Sequence, residues 1–327
     1  MRRLEVQWTS SVCRWTGVVT LAAPWTDRTF RVMGTQARIL AQGEPPGVVD
    51  RACDALAGLE RAWSRFLPES ELSLLNAAGG GRPVVVSPST FALISHAVDA
   101  WRHTGGRFDP TGLAALQELG YDRTFDDVVR ADQPAPRATA QALVGCAAIE
   151  LDPIVRAVTL PEGLHLDLGG IGKGYAADLV TQELMDAGAR AACVDLGGDL
   201  RVMGPGPYDK AWETTFDAPD LADRIGRLRF DHGAVATSTK LRRRWRRGDV
   251  MLHHLLDPST GAPADSGLAT VTVIAGDAWW AEVLAKAAFV AGPVAGVRLL
   301  EESGVEGLLV ADDGMVIETA GLAAFRS

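Results

Sequence analysis

The tetrapeptide Asp-Leu-Gly-Gly occurs twice in this chain, at Asp167 to Gly170 and at Asp195 to Gly198. Each copy ends an apolar run of strand character, Leu164 to Leu168 in one case and the stretch from Cys193 in the other. Between them lies one segment in which Ala176, Leu179, Val180 and Leu184 recur at helical spacing, with Gly188 placed to end it. The predicted order is strand, glycine corner, helix, strand, glycine corner. The helix must therefore pack back on the strands that flank it.

The first corner, "LDLGGIGKGYAADLV", has the look of a phosphate loop. A Walker loop needs a glycine five residues before the Gly-Lys pair and a Ser or Thr after it, but Asp167 and Gly174 hold those places. A dinucleotide fingerprint needs G-x-G-x-x-G, and Gly170, Gly172 and Gly174 give G-x-G-x-G. What remains is a more general expectation. Gly169 and Gly170 allow close backbone approach, and Lys173 stands at a helix N-terminus, where amides, dipole and ammonium together suit an anion.

Elsewhere the patterning predicts an α+β fold with mostly antiparallel sheet, in one unit with two lobes and flanking helices. Thr29 to Leu40 reads as a strand and Pro46 to Phe66 as a helix. Ala77 to Pro88 reads as a glycine turn into a short strand, and Ser89 as the cap of a helix through Trp101. The acidic, then Pro- and Ala-rich stretch Tyr121 to Ala142 is the most loop-like part of the chain. Hairpins are expected around Asp152-Pro153 and Asp313-Gly314, and "LATVTVIAG" as a strand. "DAWWAEVLAKAAFVAG" reads as a helix capped by Asp277. Residues 1–28 form an N-terminal extension, with an edge strand near Gly17 to Ala23, and residues 29–327 a single domain.

A net charge of -9 argues against general nucleic-acid binding, which needs a basic surface. Small anions must then be met locally. Cys13, Cys53, Cys146 and Cys193 form no C-x-x-C pair, so buried free thiols are expected rather than zinc or disulfides. No unbroken apolar run reaches the roughly 20 residues of a transmembrane span. Arg14 and Trp15 interrupt what might otherwise resemble a signal peptide, so a cytoplasmic location is expected.

Three segments carry further titratable groups. "HHLLDPSTGAP" puts His253 and His254 at the end of a strand, where their rings face opposite sides. Spacing allows His254 and Asp257 an acid/base and orienting role, and equally a hairpin end whose Asp caps its own turn. "VATSTKLRRRWRRGDVM" sets arginines around Trp245, the pattern of a solvated hairpin with its tip at Gly248-Asp249; a docking surface for an acidic partner is the alternative. Glu282 and Lys286 stand four apart on one helical face, the spacing of an exposed ion pair worth about 0.3 to 0.5 kcal/mol.

In order along the chain, "VMGTQARI", "SRFLPESELSLLN", "GGRFDPTG", "LDLGGIGKGYAAD", "VDLGGDLRVMG", "VATST", "HHLLDPSTGAP" and "VTVIAGDAWWAEVLAKAAFVAG" resemble the ApbE family of FAD:protein FMN transferases. The resemblance implies a T-fold-like architecture and FAD as substrate. It further implies that Met33, Phe66, Arg107, Phe108, Asp109, Asp167, Lys173 and Leu255 or Leu256 contact FAD. His254 takes the place of the general base, and Asp257 is expected to orient it. The implied acceptor is a flavoprotein with a Ser/Thr-Gly-Ala-Thr-like segment, whose threonine hydroxyl displaces AMP from FAD to leave a phosphoester. Two other activities fit the same residues: a non-catalytic FAD-binding or flavin-donor protein, and a hydrolase giving FMN and AMP.

The resemblance also implies a magnesium site, made from the Gly170 carbonyl and an Asp and a Thr four apart on the late helix. This chain has Glu282 and Lys286 in those two places. A longer carboxylate can still reach a hard cation, but a charged ammonium is no ligand. Magnesium on Gly170 and Glu282, or the Lys286 ammonium in its stead, are the alternatives.

Overall fold

The computed structural model describes residues 13–14, 25–131, 134, 141–207, 210–216 and 227–326. Its centre is an eight-stranded sheet, antiparallel throughout. In spatial order its strands are Val316–Glu318, Glu306–Ala311, Leu268–Ala275, Gly233–Thr239, Asp199–Met203, Ala191–Leu196, Thr35–Gln42 and Trp25–Val32. Both faces are covered, which explains why these strands read as nearly continuous apolar runs. Alternation divides their side chains: Ala234, Ala236, Val273 and Leu309 join the main core, whereas Val235, Ile274, Leu308 and Val310 join a second cluster on the other face.

The main core lies under three helices, Val48–Trp63, Gly172–Asp186 and Ala278–Glu302. The opposite cluster is closed by Trp212 and Phe230 of a small sheet and by the 3-10 turn Leu322–Phe325. A third cluster joins Leu116, Tyr121, Val128, Trp245 and Leu252, so the arginine hairpin Arg244–Arg247/Val250–His253 is anchored through its tryptophan. Arg242, Arg244 and Arg246 are exposed, in keeping with a solvated hairpin, while Arg243 donates to Tyr121 Oη at 2.6 Å.

Several sequence expectations shift for identifiable reasons. The single strand Thr29 to Leu40 is a hairpin, Trp25–Val32 with Thr35–Gln42, whose turn residues Met33 and Gly34 are left-handed at φ 52 and 64. The sheet therefore starts at Trp25, ahead of the expected boundary at residue 29. The expected edge strand at 17–23 lies outside the described residues, but Cys13–Arg14 pairs with Phe216 and Thr215. Ser87, not Ser89, caps the helix Pro88–His103, accepting from Thr90 N. The loop-like stretch from Tyr121 contains a short helix, Phe125–Arg130.

Leu164 to Leu168 is not a strand. Asn76 stands in for a partner strand, accepting from Leu166 N at 2.8 Å and donating to Leu166 O at 2.9 Å, and Asp167 N donates to Pro110 O at 2.8 Å. The extended segment is thus satisfied from two sides by single groups, which fixes Asp167 at the mouth of the glycine corner.

The helix Ala278–Glu302 holds the largest surprise. By length and mean hydropathy (1.6) it passes for a membrane span, yet half of that apolar window is buried against this protein's own sheet and helices. It kinks at Gly292 (φ 80), just before Pro293. Asp277 occupies the cap position without making a side-chain cap bond; the carboxylate of Asp178, from the glycine-loop helix, accepts instead from Ala278 N at 2.8 Å and Trp279 N at 2.9 Å. Arg201 Nε adds an ion pair to Asp178 at 3.3 Å. One half-buried carboxylate therefore locks the two helices that carry Lys173 and Glu282.

Candidate active site

The two helices meet at Gly174. A Cβ there would lie 2.4 Å from Ala278 O, so only glycine permits this approach. The close approach brings Gly174 N to 2.8 Å from Glu282 Oε2. The anion at this helix N-terminus is thus the protein's own carboxylate. Gly169 N is likewise taken by Asp167 Oδ1 at 2.8 Å, and Gly172 N by Leu168 O at 2.8 Å. Those three amides are committed internally, which corrects the picture of an open amide cradle.

Glu282 is 1% exposed, not the surface partner its spacing suggested. Its Oε1 accepts from Lys173 Nζ at 2.9 Å and Lys286 Nζ at 3.2 Å. Lys173 also pairs closely with Asp199, the residue after the second Asp-Leu-Gly-Gly corner, whose Oδ1 accepts from Thr237 N at 3.3 Å. Burial alone would raise Glu282, but Lys173, Lys286 and the Gly174 amide outweigh it and bring its carboxyl down to about 2. For Lys173, burial lowers and the two carboxylates raise, and the net result lies above the ordinary lysine range. The cluster thus holds two ammoniums and two carboxylates.

Gly170 sits over this cluster. A Cβ on it would lie 3.2 Å from Lys286 Cε and 3.2 Å from Phe108 Cε2, so the lysine stem and the buried ring already fill the space beside it. A dication on Glu282 would have to displace donors that its two oxygens already accept from, beside the Lys286 stem packed on Gly170. At an effective dielectric near 20, an ammonium about 4 Å away repels a dication by roughly 8 kcal/mol, which cancels the pull of one carboxylate at that distance, so the two lysines leave no net attraction for the ion. Among the described residues no three of His, Cys, Asp and Glu gather as a ligand set. The residues present do not fit magnesium.

The remaining expected flavin contacts come from several segments. Asp167 pairs with Arg65 Nε at 3.6 Å, and the Arg65 guanidinium lies 4.5 Å from the ring centroids of both Phe66 and Tyr121. Phe66 is exposed and Tyr121 buried, so an aromatic and cationic shelf borders Asp167. The Met33-Gly34 turn approaches through Arg243, whose guanidinium is 3.9 Å from the Cβ position of Gly34. Leu255 is buried, and half-buried Leu256 packs on Gly112, 3.6 Å from its Cβ position. Arg107 is exposed and donates to Thr104 O at 3.1 Å; Asp109 accepts from Thr111 N at 2.8 Å and Thr111 Oγ1 at 2.7 Å. Burial raises Asp109 against those two donors.

His254 is held well below the ordinary histidine range, first by burial and then by the charges of Arg243, Lys286, His253 and Lys173. Its ring is neutral at pH 7, and its buried Nδ1 has no hydrogen-bond partner. Asp257 therefore does not orient it through that atom. The Asp257 carboxylate instead accepts from Ser259 N at 2.9 Å and Ser259 Oγ at 2.7 Å, the turn-capping alternative. Sequence reasoning assigned no role to Arg65, Asp178 or Asp199, although each lies within one of the motifs that carry the family resemblance.

A family model described as the ApbE family matches residues 33–309. A relative named FAD:protein FMN transferase, from Treponema pallidum, is 30% identical over 89% of this chain and 86% of its own length. Another of the same name, from Rhodobacter capsulatus, is 29% identical over 94% of this chain, which spans 59% of that longer protein. Among solved structures, the ApbE protein of Thermotoga maritima superposes with a TM-score of 0.82 at 26% identity, covering 93% of this chain and all of that one.

Proposed function

The chain belongs to the ApbE family, and from that premise we propose that it transfers FMN from FAD to a threonine hydroxyl of an acceptor flavoprotein. One feature carries the reading: His254, its buried Nδ1 without a hydrogen-bond partner, is held neutral by burial and by the charges of Arg243, Lys286, His253 and Lys173. That is the set a phosphoryl-type transfer requires, a proton acceptor for the attacking hydroxyl beside positive charge for the phosphate oxygens.

In the step, the acceptor oxygen bonds to the FMN-side phosphorus while the bond from that phosphorus to the bridging oxygen breaks. AMP departs with the bridging oxygen and the electron pair. The hydroxyl proton passes to the unprotonated ring nitrogen of His254. Lys173 and Lys286 offset charge on the non-bridging oxygens, and Phe66, backed by Arg65, offers a face for an aromatic ring system.

The test is AMP release from FAD with an acceptor domain bearing a Ser/Thr-Gly-Ala-Thr-like segment. AMP matched by covalent flavin on the acceptor, and lost in His254→Ala, supports the transferase. AMP with free FMN would replace it by hydrolysis, and tight FAD binding without AMP by a binding protein.

A further inference from the structure

We propose that Lys286 is a built-in cation that replaces a divalent metal at the FAD pyrophosphate, so that this chain binds FAD and transfers FMN without metal. The inference rests on the flavin-transfer reading for its ligand, but its geometry stands apart from it. Of the places in which the family resemblance puts metal-binding atoms, one is crowded and the other is committed in this chain. The Lys286 stem lies against Gly170, and Glu282 Oε1 accepts from two ammoniums while Oε2 accepts from Gly174 N.

The donor count says which lysine meets the ligand. An ammonium has three N–H donors. Lys173 uses two, on Asp199 and Glu282, whereas Lys286 uses one, on Glu282. Among the described residues nothing takes the other two. The Lys286 side chain is 19% exposed, enough for its head to reach a phosphate oxygen while its stem stays packed. Glu282, fully enclosed, fixes the ammonium from below as a carboxylate would fix a metal. The exchange also keeps the charge in register: Lys173 and Lys286 already balance Glu282 and Asp199, so the anionic pyrophosphate meets a neutral cluster with unused donors instead of a net negative one.

The test uses the full-length protein, stripped of metal, with FAD affinity read from flavin fluorescence and bound Mn2+ read by paramagnetic resonance. FAD affinity is expected to agree within about twofold in chelator and in magnesium, with no Mn2+ bound in the presence of FAD. In the paired variant Glu282→Asp with Lys286→Thr, Mn2+ binding and a magnesium-dependent gain in FAD affinity of about tenfold or more are expected. Stoichiometric Mn2+ on the unaltered protein, or a loss of about tenfold in its FAD affinity in chelator, overturns the proposal whether or not the variant folds. AMP release is followed in the same samples. If none occurs under either condition the transferase reading fails, while affinity and Mn2+ still decide the role of Lys286.

Discussion

Replacing Gly174 by alanine sets two opposed effects against each other. Helix propensity favours alanine by about 1 kcal/mol. The close helix crossing opposes it: the new Cβ would stand 2.4 Å from Ala278 O, 2.5 Å from its carbonyl carbon and 2.7 Å from Trp279 Cα, all backbone. Contacts of this kind need roughly 3.5 Å, so the long helix must retreat by about 1 Å. Overpacking costs about 1 to 3 kcal/mol, and the retreat also stretches the 2.8 Å bond from Gly174 N to Glu282, a charged acceptor, for about 1.5 to 3 kcal/mol more. The net expectation is a loss of about 1.5 to 5 kcal/mol, or roughly 2 to 7 °C in Tm for a chain of this size. Gly172→Ala is the control, because its Cβ would meet nothing nearer than Trp63 Cε3 at 3.8 Å. Thermal melts and urea titrations of both variants decide the matter. Equal stability of the two, or a stabilised Gly174→Ala, would refute the claim that this glycine exists for the helix crossing.

Glu282→Gln leaves two lysines facing an uncharged amide; the carboxyl's descent from 4.5 to about 2 corresponds to roughly 3 kcal/mol of lost stability at pH 7. Because the folded value is the lower one, that contribution is present above about pH 4.5 and fades toward pH 2, so the gap between wild type and variant in denaturant titrations should narrow by pH 3. Burial, Lys240 and Arg244 bring His253 down from 6.5 to about 4, so the unfolded chain takes up a proton first as pH falls through that window; His253→Gln should flatten the loss of Tm between pH 7 and pH 4. The acid limb of the transfer rate should lie well below 6.5, since His254 stays neutral there, and a limb at or above 6.5 would remove His254 as the proton acceptor. Asp178→Ala strips the long helix of both its amide acceptors and should cost about 1 to 2 kcal/mol in urea titration.

Much of this architecture was legible because periodicity reports burial. The strand Leu268–Ala275, the glycine-loop helix and the hairpins at Asp152-Pro153 and Asp313-Gly314 follow from apolar spacing and turn chemistry. Leu164 to Leu168 misled because Asn76 and Pro110 supply its backbone partners, and a side chain distant in sequence leaves no local trace. Glu282 misled in the other direction. Spacing of four residues describes an ion pair equally well on a wet surface and in a sealed interior, and only the packing of the neighbouring helix separates the two. The site was legible as a set of motifs, but not as a set of bonds: the glycine corner looked open to a ligand until the helix opposite was seen to fill it.

The two helices explain why the charges must be arranged as they are. Gly174 brings the helix starts together, and that proximity would leave amide donors and a buried ammonium uncompensated unless a carboxylate entered between them. Glu282 answers both, with one oxygen on the Gly174 amide and the other on Lys173. A second cation then becomes possible on the same oxygen, and the residue one turn further along the helix is the one that can deliver it, since positions four apart share a face. Lys286 is therefore placed by the same crossing that demands Gly174. A change at the glycine should be felt at the lysine: in Gly174→Ala the affinity for FAD should fall together with stability, whereas Gly172→Ala should leave both in place.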